Sequence, residues 1–112
     1  MTPLTPIQTA NKFVAMVDGF KYQEAEEFLA DDFVFILPLQ KKMTKETWKT
    51  DFPKLLNSLT SLPLFDEFEQ QGKSNNRVSR NGQTQMGKLK IPIVETFTFN
   101  ENGEIKRITL RR

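Results

Sequence analysis

The stretch Ile91-Pro92-Ile93-Val94-Glu95-Thr96-Phe97-Thr98-Phe99 holds the residue best suited to chemistry. Alternate residues of a strand share a face, so Ile91, Ile93, Glu95, Phe97 and Phe99 line up on one side. A carboxylate in an apolar stripe is poorly hydrated, which raises its pKa. Neutral, it donates a hydrogen bond to a carbonyl; ionised, it accepts one or serves as a base. The plainer alternative is an ion pair with Arg77, Arg80 or Arg107 on a neighbouring strand, or a place in water at the open end of a sheet. Little else competes. The chain has no Cys and no His, which removes disulfides, thiolate nucleophiles, the commonest general base and the commonest zinc ligands. No acidic loop has EF-hand spacing, and no phosphate-binding glycine loop or nucleophile elbow occurs, so neither a metal nor a cofactor is expected. Asp31 and Asp32 are adjacent and would point to opposite faces of a strand, so they read as a turn into it.

The elements that must position Glu95 follow from spacing. Thr5 caps a first helix with Pro6 in its first turn, and Ile7, Ala10, Phe13, Val14 and Val17 recur at helical intervals until Asp18-Gly19. A short second helix sets Tyr22, Ala25, Phe28 and Leu29 against the core and Glu24, Glu26 and Glu27 towards water. Phe33 to Leu37 is a continuous apolar run, as in a strand covered on both faces, and Pro38 ends it. Lys41-Lys42 is a polar connection. Thr44 caps a third helix bearing Trp48, Phe52, Leu55, Leu56 and Leu59. Pro53 inside it predicts a kink or a restart recapped by Thr50 or Asp51.

The remainder reads as extended. A strand is expected from about Leu64 to Gln71, then a turn over Lys73-Ser74-Asn75-Asn76. Residues 77–86 suit one polar strand better than a hairpin at Asn81-Gly82, whose arms would be very short. Residues 91–99 are the clearest strand, and the Asn102-Gly103 turn returns the chain antiparallel through Ile105 to Leu110. Helices followed by a meander give an α+β class.

The bulk composition bounds the partners. A chain of 112 residues with ten Phe, one Trp and one Tyr makes one domain, 1–112, with bulky core material. The net charge is +2, split as −1 over residues 1–60 and +3 over 61–112, too slight an asymmetry to argue for nucleic acid. No apolar run reaches membrane-spanning length and no signal-peptide pattern opens the chain, so a cytoplasmic protein without a membrane partner is expected.

Two stretches, "FLADDFVFILPL" and "IPIVETFTFNENGEIKRITL", with a helix between them, resemble the nuclear-transport-factor-2-like (NTF2-like) superfamily, which includes ketosteroid isomerases and SnoaL-like polyketide cyclases. The resemblance implies a cystatin-like roll: three helices packed in a strongly curved antiparallel sheet that forms a conical cavity, in a homodimer joined through the outer sheet face. It also allows the isomerase chemistry to be checked position by position. The isomerase base falls at Leu37, its oxyanion-hole Tyr at Phe13, and its protonated acid at Glu95. Leu accepts no proton and Phe donates none, so isomerase activity of that type is not expected. "GQTQMG", residues 82–87, is only loosely similar to a cyclase segment and lacks its His.

The sequence thus reads as a binder of a small, largely apolar ligand, without settled catalysis. Phe13, Phe33, Phe35, Leu37, Trp48, Phe52, Glu95 and Phe97 are its candidate lining, and plain core packing is the alternative for each apolar member. One rival is a small lyase, isomerase or cyclase using Glu95 as its acid–base group. Another is a dimeric interaction module with a filled cavity. Val94, Thr96 and Thr98, uncharged β-formers on the outward face, suit a homodimer contact.

Overall fold

A computed structural model describes residues 4–38, 42–59, 62–71 and 76–112. Helix α1, Pro6–Asp18, begins with a capping box in which Thr5 accepts from the Gln8 backbone and the Gln8 side chain accepts from the Thr5 N–H. The chain leaves α1 through Gly19. Phe20 then takes a left-handed conformation with φ 62°, and the Lys21 N–H donates back to the Met16 carbonyl. Helix α2, Tyr22–Glu26, is shorter than the apolar spacing predicts, because Leu29 is already taken into β1, Leu29–Ile36. Helix α3, Lys45–Ser58, has a second capping box, Thr44 with Thr47.

Two expectations for this region are corrected. Helix α3 runs through Pro53 without a restart, and Asp51 lies exposed within it; a proline there forfeits one backbone bond, and the flanking turns hold. Asp31 and Asp32 lie within the span of β1, where pairing with the last strand is interrupted between Leu29 and Val34. The irregularity turns both carboxylates outward.

The remaining strands are β2 (Lys42–Thr44), β3 (Leu64–Phe65), β4 (Glu69–Gln70), β5 (Arg77–Met86), β6 (Leu89–Phe99) and β7 (Ile105–Arg111). Among the described residues the seven strands form one curved, unclosed sheet in the order β2-β1-β7-β6-β5-β3, with β4 also on β5. The pairings are antiparallel except that of β1 with β7, which is parallel. β1 is separated from β7 by α3 and the meander, a connection long enough for a parallel neighbour. β2 was not anticipated; Lys42 belongs to it, and it is a three-residue edge strand. Lys41 and the turn expected over Lys73 to Asn75 lie outside the described residues. Residues 77–86 form one strand, as expected, and the turn falls instead at Gly87-Lys88, where Gly87 has φ 62°.

The strand expected from Leu64 to Gln71 is broken in two. Phe65 pairs with Gly82 and Glu69 with Ser79, so this side advances four residues while β5 advances three. The extra residue is a bulge, and it lets Phe65 and Phe68, three apart, both approach Arg80. Close approach of β3 to β5 depends on Gly82. A Cβ there would overlap the Phe65 ring and lie 2.5 Å from the Leu64 carbonyl oxygen.

The core lies between the helices and the concave side of the sheet. Phe13, Trp48, Phe33, Phe35, Phe97, Phe99, Ile105 and Ile108 are buried in it. Phe13 contacts Trp48 at 5.4 Å and Phe97 at 5.8 Å between ring centroids, and Trp48 stacks on Phe52 at 5.7 Å; such pairs contribute about 0.5–1.5 kcal/mol each beyond area burial. No helix among the described residues is long and apolar enough to cross a membrane.

Gly82→Ala is expected to destabilise the fold by about 1–3 kcal/mol through overpacking, read by urea denaturation. Hydrogen exchange should quicken first at the Asp66 amide, which donates to the Asn81 carbonyl at 2.7 Å.

Candidate functional site

Three elements of different origin converge on one cavity. Helix α1 presents Phe13, Val14, Val17 and Asp18; helix α3 presents Trp48, Phe52 and Leu55; and the concave sheet presents Phe35, Arg80, Glu95, Phe97, Ile108 and Leu110. The cavity has a volume of about 330 Å³ and opens past Leu59, Leu62 and Leu64, which are exposed apolar side chains. Natural interiors are close-packed, so a void of this size under aromatic walls is a ligand-sized feature.

Period-two alternation carries Glu95 into it. Residues 93, 95, 97 and 99 of β6 are all buried, while 94, 96 and 98 are half-buried on the other side. Directly across the β5–β6 ladder from Glu95 stands Arg80. Its Nε donates to Glu95 Oε1 at 2.8 Å and its Nη2 lies 2.7 Å from the same oxygen. The two side chains are 14% and 11% exposed, so this is a buried pair. The guanidinium carbon also lies 3.9 Å from the Phe65 centroid and 4.7 Å from that of Phe68, a cation held by π faces as well as by charge.

Burial pushes the Glu95 carboxyl above the usual carboxylate range; Arg80 pulls the other way through its charge and hydrogen bond, and the Asp18 charge adds to the rise. Ion pairing thus offsets part of the desolvation and not all of it. Beyond Arg80 lies a second, open depression lined by Asn11, Asp66, Glu67, Phe68 and Glu69. Arg80 separates the two spaces and faces acids on both sides.

Of the residues singled out from sequence, Phe13, Phe35, Leu37, Trp48, Phe52, Glu95 and Phe97 line the cavity. Phe33 does not; it shares a face with Phe35 and Leu37 but lies deeper in the packed core, 2% exposed. The three positions aligned with isomerase groups, Phe13, Leu37 and Glu95, all meet there. Arg80 stood among three candidate partners of Glu95. Strand parity selects it, because Arg77 and Arg107 both lie opposite Thr98 on the outward face. Asp18 and Phe65 were missed; Asp18 read as a helix stop, and Phe65 reaches the cavity only because of the bulge.

Arg80→Met leaves Glu95 buried without its counter-charge and should destabilise the protein by about 3–5 kcal/mol at neutral pH. The pH dependence has a definite sign. Folded Glu95 holds its proton more tightly than unfolded Glu95, so its contribution to stability falls as pH rises from the ordinary carboxylate range through the raised value. In Arg80→Met that window moves upward, and acidification towards pH 5 should recover part of the loss. Arg80→Met/Glu95→Met should recover most of it at all pH values, as denaturant midpoints measured across pH will show.

No family model matches the sequence, and comparison with curated proteins returns no match. Solved structures do match. An NTF2-like protein of unknown function from Cytophaga hutchinsonii superposes with a TM-score of 0.72 at 17% identity, covering 97% of this chain and 90% of that one. A steroid delta-isomerase from Pseudomonas aeruginosa superposes with a TM-score of 0.76 at 13% identity, over 99% and 82% of the two chains. SalBIII, an epoxide hydrolase/cyclase-like enzyme of pyran ring formation in the polyether salinomycin, gives 0.70 at 10% identity over 95% and 88%. At these identities the likeness speaks for architecture: a curved sheet wrapped on three helices, with its concave side open, is the NTF2-like, cystatin-like fold, and this chain has it.

Proposed function

We propose that this protein binds a small, largely apolar molecule in the cavity between α1, α3 and the concave sheet, without ketosteroid-isomerase-type catalysis. The observation that carries the reading is the open void of about 330 Å³ with aromatic walls and a single buried acid–base pair. A ligand there would exchange water for Phe13, Trp48, Phe52 and Phe97, at about 25 cal/mol per Å² of apolar surface buried. Its one polar group would meet Glu95. Leu37 and Phe13 stand where an isomerase needs a base and a phenol, and neither transfers a proton at neutral pH. The void weighs against a filled-interior interaction module. Turnover of a carbonyl compound that is lost in Glu95→Gln would instead favour the lyase, isomerase or cyclase reading.

The outward face of β6 supports a homodimer. Val94, Thr96 and Thr98 are half-buried, and in register with them stand Thr109 and, one strand further, Ile36. Uncharged β-formers along β6 suit a sheet-to-sheet contact, with Arg77, Arg107 and Arg111 of the neighbouring strands opposite Thr98 and Val94. A chain without Cys demands no oxidising compartment, and a cytoplasmic location is part of the proposal.

Two measurements test these readings. Trp48 lines the cavity and is 1% exposed, so its fluorescence should change saturably with a hydrophobic probe, and Val14→Trp, which fills the void, should abolish probe binding while leaving the far-ultraviolet spectrum intact. Sedimentation should give a dimer at micromolar concentration that Thr96→Arg converts to monomer; a monomeric wild type would remove the dimer.

A further inference from the structure

The charge arrangement in the cavity points to the ligand's polar group. Among the described residues, three charged side chains line the space: Glu95 on β6, Arg80 on β5 and Asp18 at the end of α1. The other lining positions on α3, β1, β3 and β7 are apolar. Arg80 is already committed. Its Nε and Nη2 both meet Glu95 Oε1, Phe65 and Phe68 flank its guanidinium, and Asp66, Glu67 and Glu69 edge the depression on its other side. An incoming anion would have to share Arg80 with Glu95, already in contact at 2.7 Å, and would be repelled by both carboxylates of the lining, Glu95 and Asp18. An incoming cation meets the reverse: the lining combines an exposed carboxylate, Asp18, the aromatic side chains of Phe13, Trp48, Phe52 and Phe97, and a buried carboxylate, Glu95. Aromatic faces attract cations, and a carboxylate among apolar walls attracts a cation more strongly than one in water because the local dielectric is lower.

We propose that the cavity selects an apolar ammonium, a primary or substituted amine on a hydrocarbon body, held between Glu95 and Asp18. This rests on the ligand-binding reading above and names the ligand class for the same site. Glu95 would accept from the ammonium N–H while keeping its Arg80 contact, and Asp18 would steer the cation in. The hydrocarbon would occupy the space between Trp48, Phe52 and Leu110. Asp18 is on the surface, so it can be altered without disturbing the core.

The test compares octylamine, octanol and octanoate, eight-carbon chains with different head groups, by calorimetry and Trp48 fluorescence at mildly alkaline pH and low salt. Octylamine should bind about tenfold or more tightly than either of the others. Asp18→Asn should weaken octylamine by about two- to fivefold and leave octanol unchanged, and added salt should mimic that substitution. Equal binding of all three, or tighter octanoate, overturns the ammonium assignment and leaves the apolar binder standing. Failure of all three to bind overturns both.

Discussion

The buried Arg80–Glu95 pair constrains everything around it. Desolvating two charges costs several kcal/mol each, and a close pair in a low dielectric offsets that only with good geometry. The geometry here comes from the β5–β6 ladder, which sets the two residues opposite each other on the concave face. A slip of β6 by one residue would send Glu95 to the outer face, expose Phe97 and Ile93 with it, and leave Arg80 on the concave face without its partner. The pair therefore specifies a register as well as a charge balance. It needs Phe65 and Phe68 on the same side, which requires the bulge between β3 and β4, and the bulged strand lies close to β5 only because position 82 has no Cβ.

The helices complete the enclosure from the other side. Capping boxes at Thr5 and Thr44 fix where α1 and α3 begin, and so which residues face the sheet. Phe13 and Trp48 meet over the concave surface, with Phe97 beneath Phe13. These rings wall the cavity, while Phe33 is packed within the core. Phe52 and Leu55 of α3 and Ile108 and Leu110 of β7 line the same cavity. Exposed leucines rim the mouth, so an apolar solute meets an apolar edge before it meets the buried Arg80–Glu95 pair.

Much of this was legible in the sequence. The capping signals, the alternation around Glu95 and the Asn102-Gly103 turn are local and strong; the element order gives the α+β class, and the resemblance of two stretches to the NTF2-like superfamily gives the fold that the solved structures share at 10–17% identity. What escaped was set by long-range geometry. The parallel partnership of β1 with β7 joins segments distant in the chain, and no local signal records it. β2 is three residues long. The break in Leu64–Gln71 depends on contacts with β5, and with it went the roles of Phe65 and Phe68. For Glu95, composition offered three arginines as partners, and only knowledge of which strands are neighbours, together with parity, leaves Arg80.

A chamber holding a poorly hydrated Glu95 against Arg80 is the premise behind both the ligand reading and its chemistry. Carbon-detected NMR titration of the Glu95 carboxyl tests it directly. A midpoint above that of a free glutamate, with a slowly exchanging Arg80 Nε–H that responds to the same titration, is the expected result. An ordinary midpoint, with an Arg80 side chain averaging freely in water, would contradict the account.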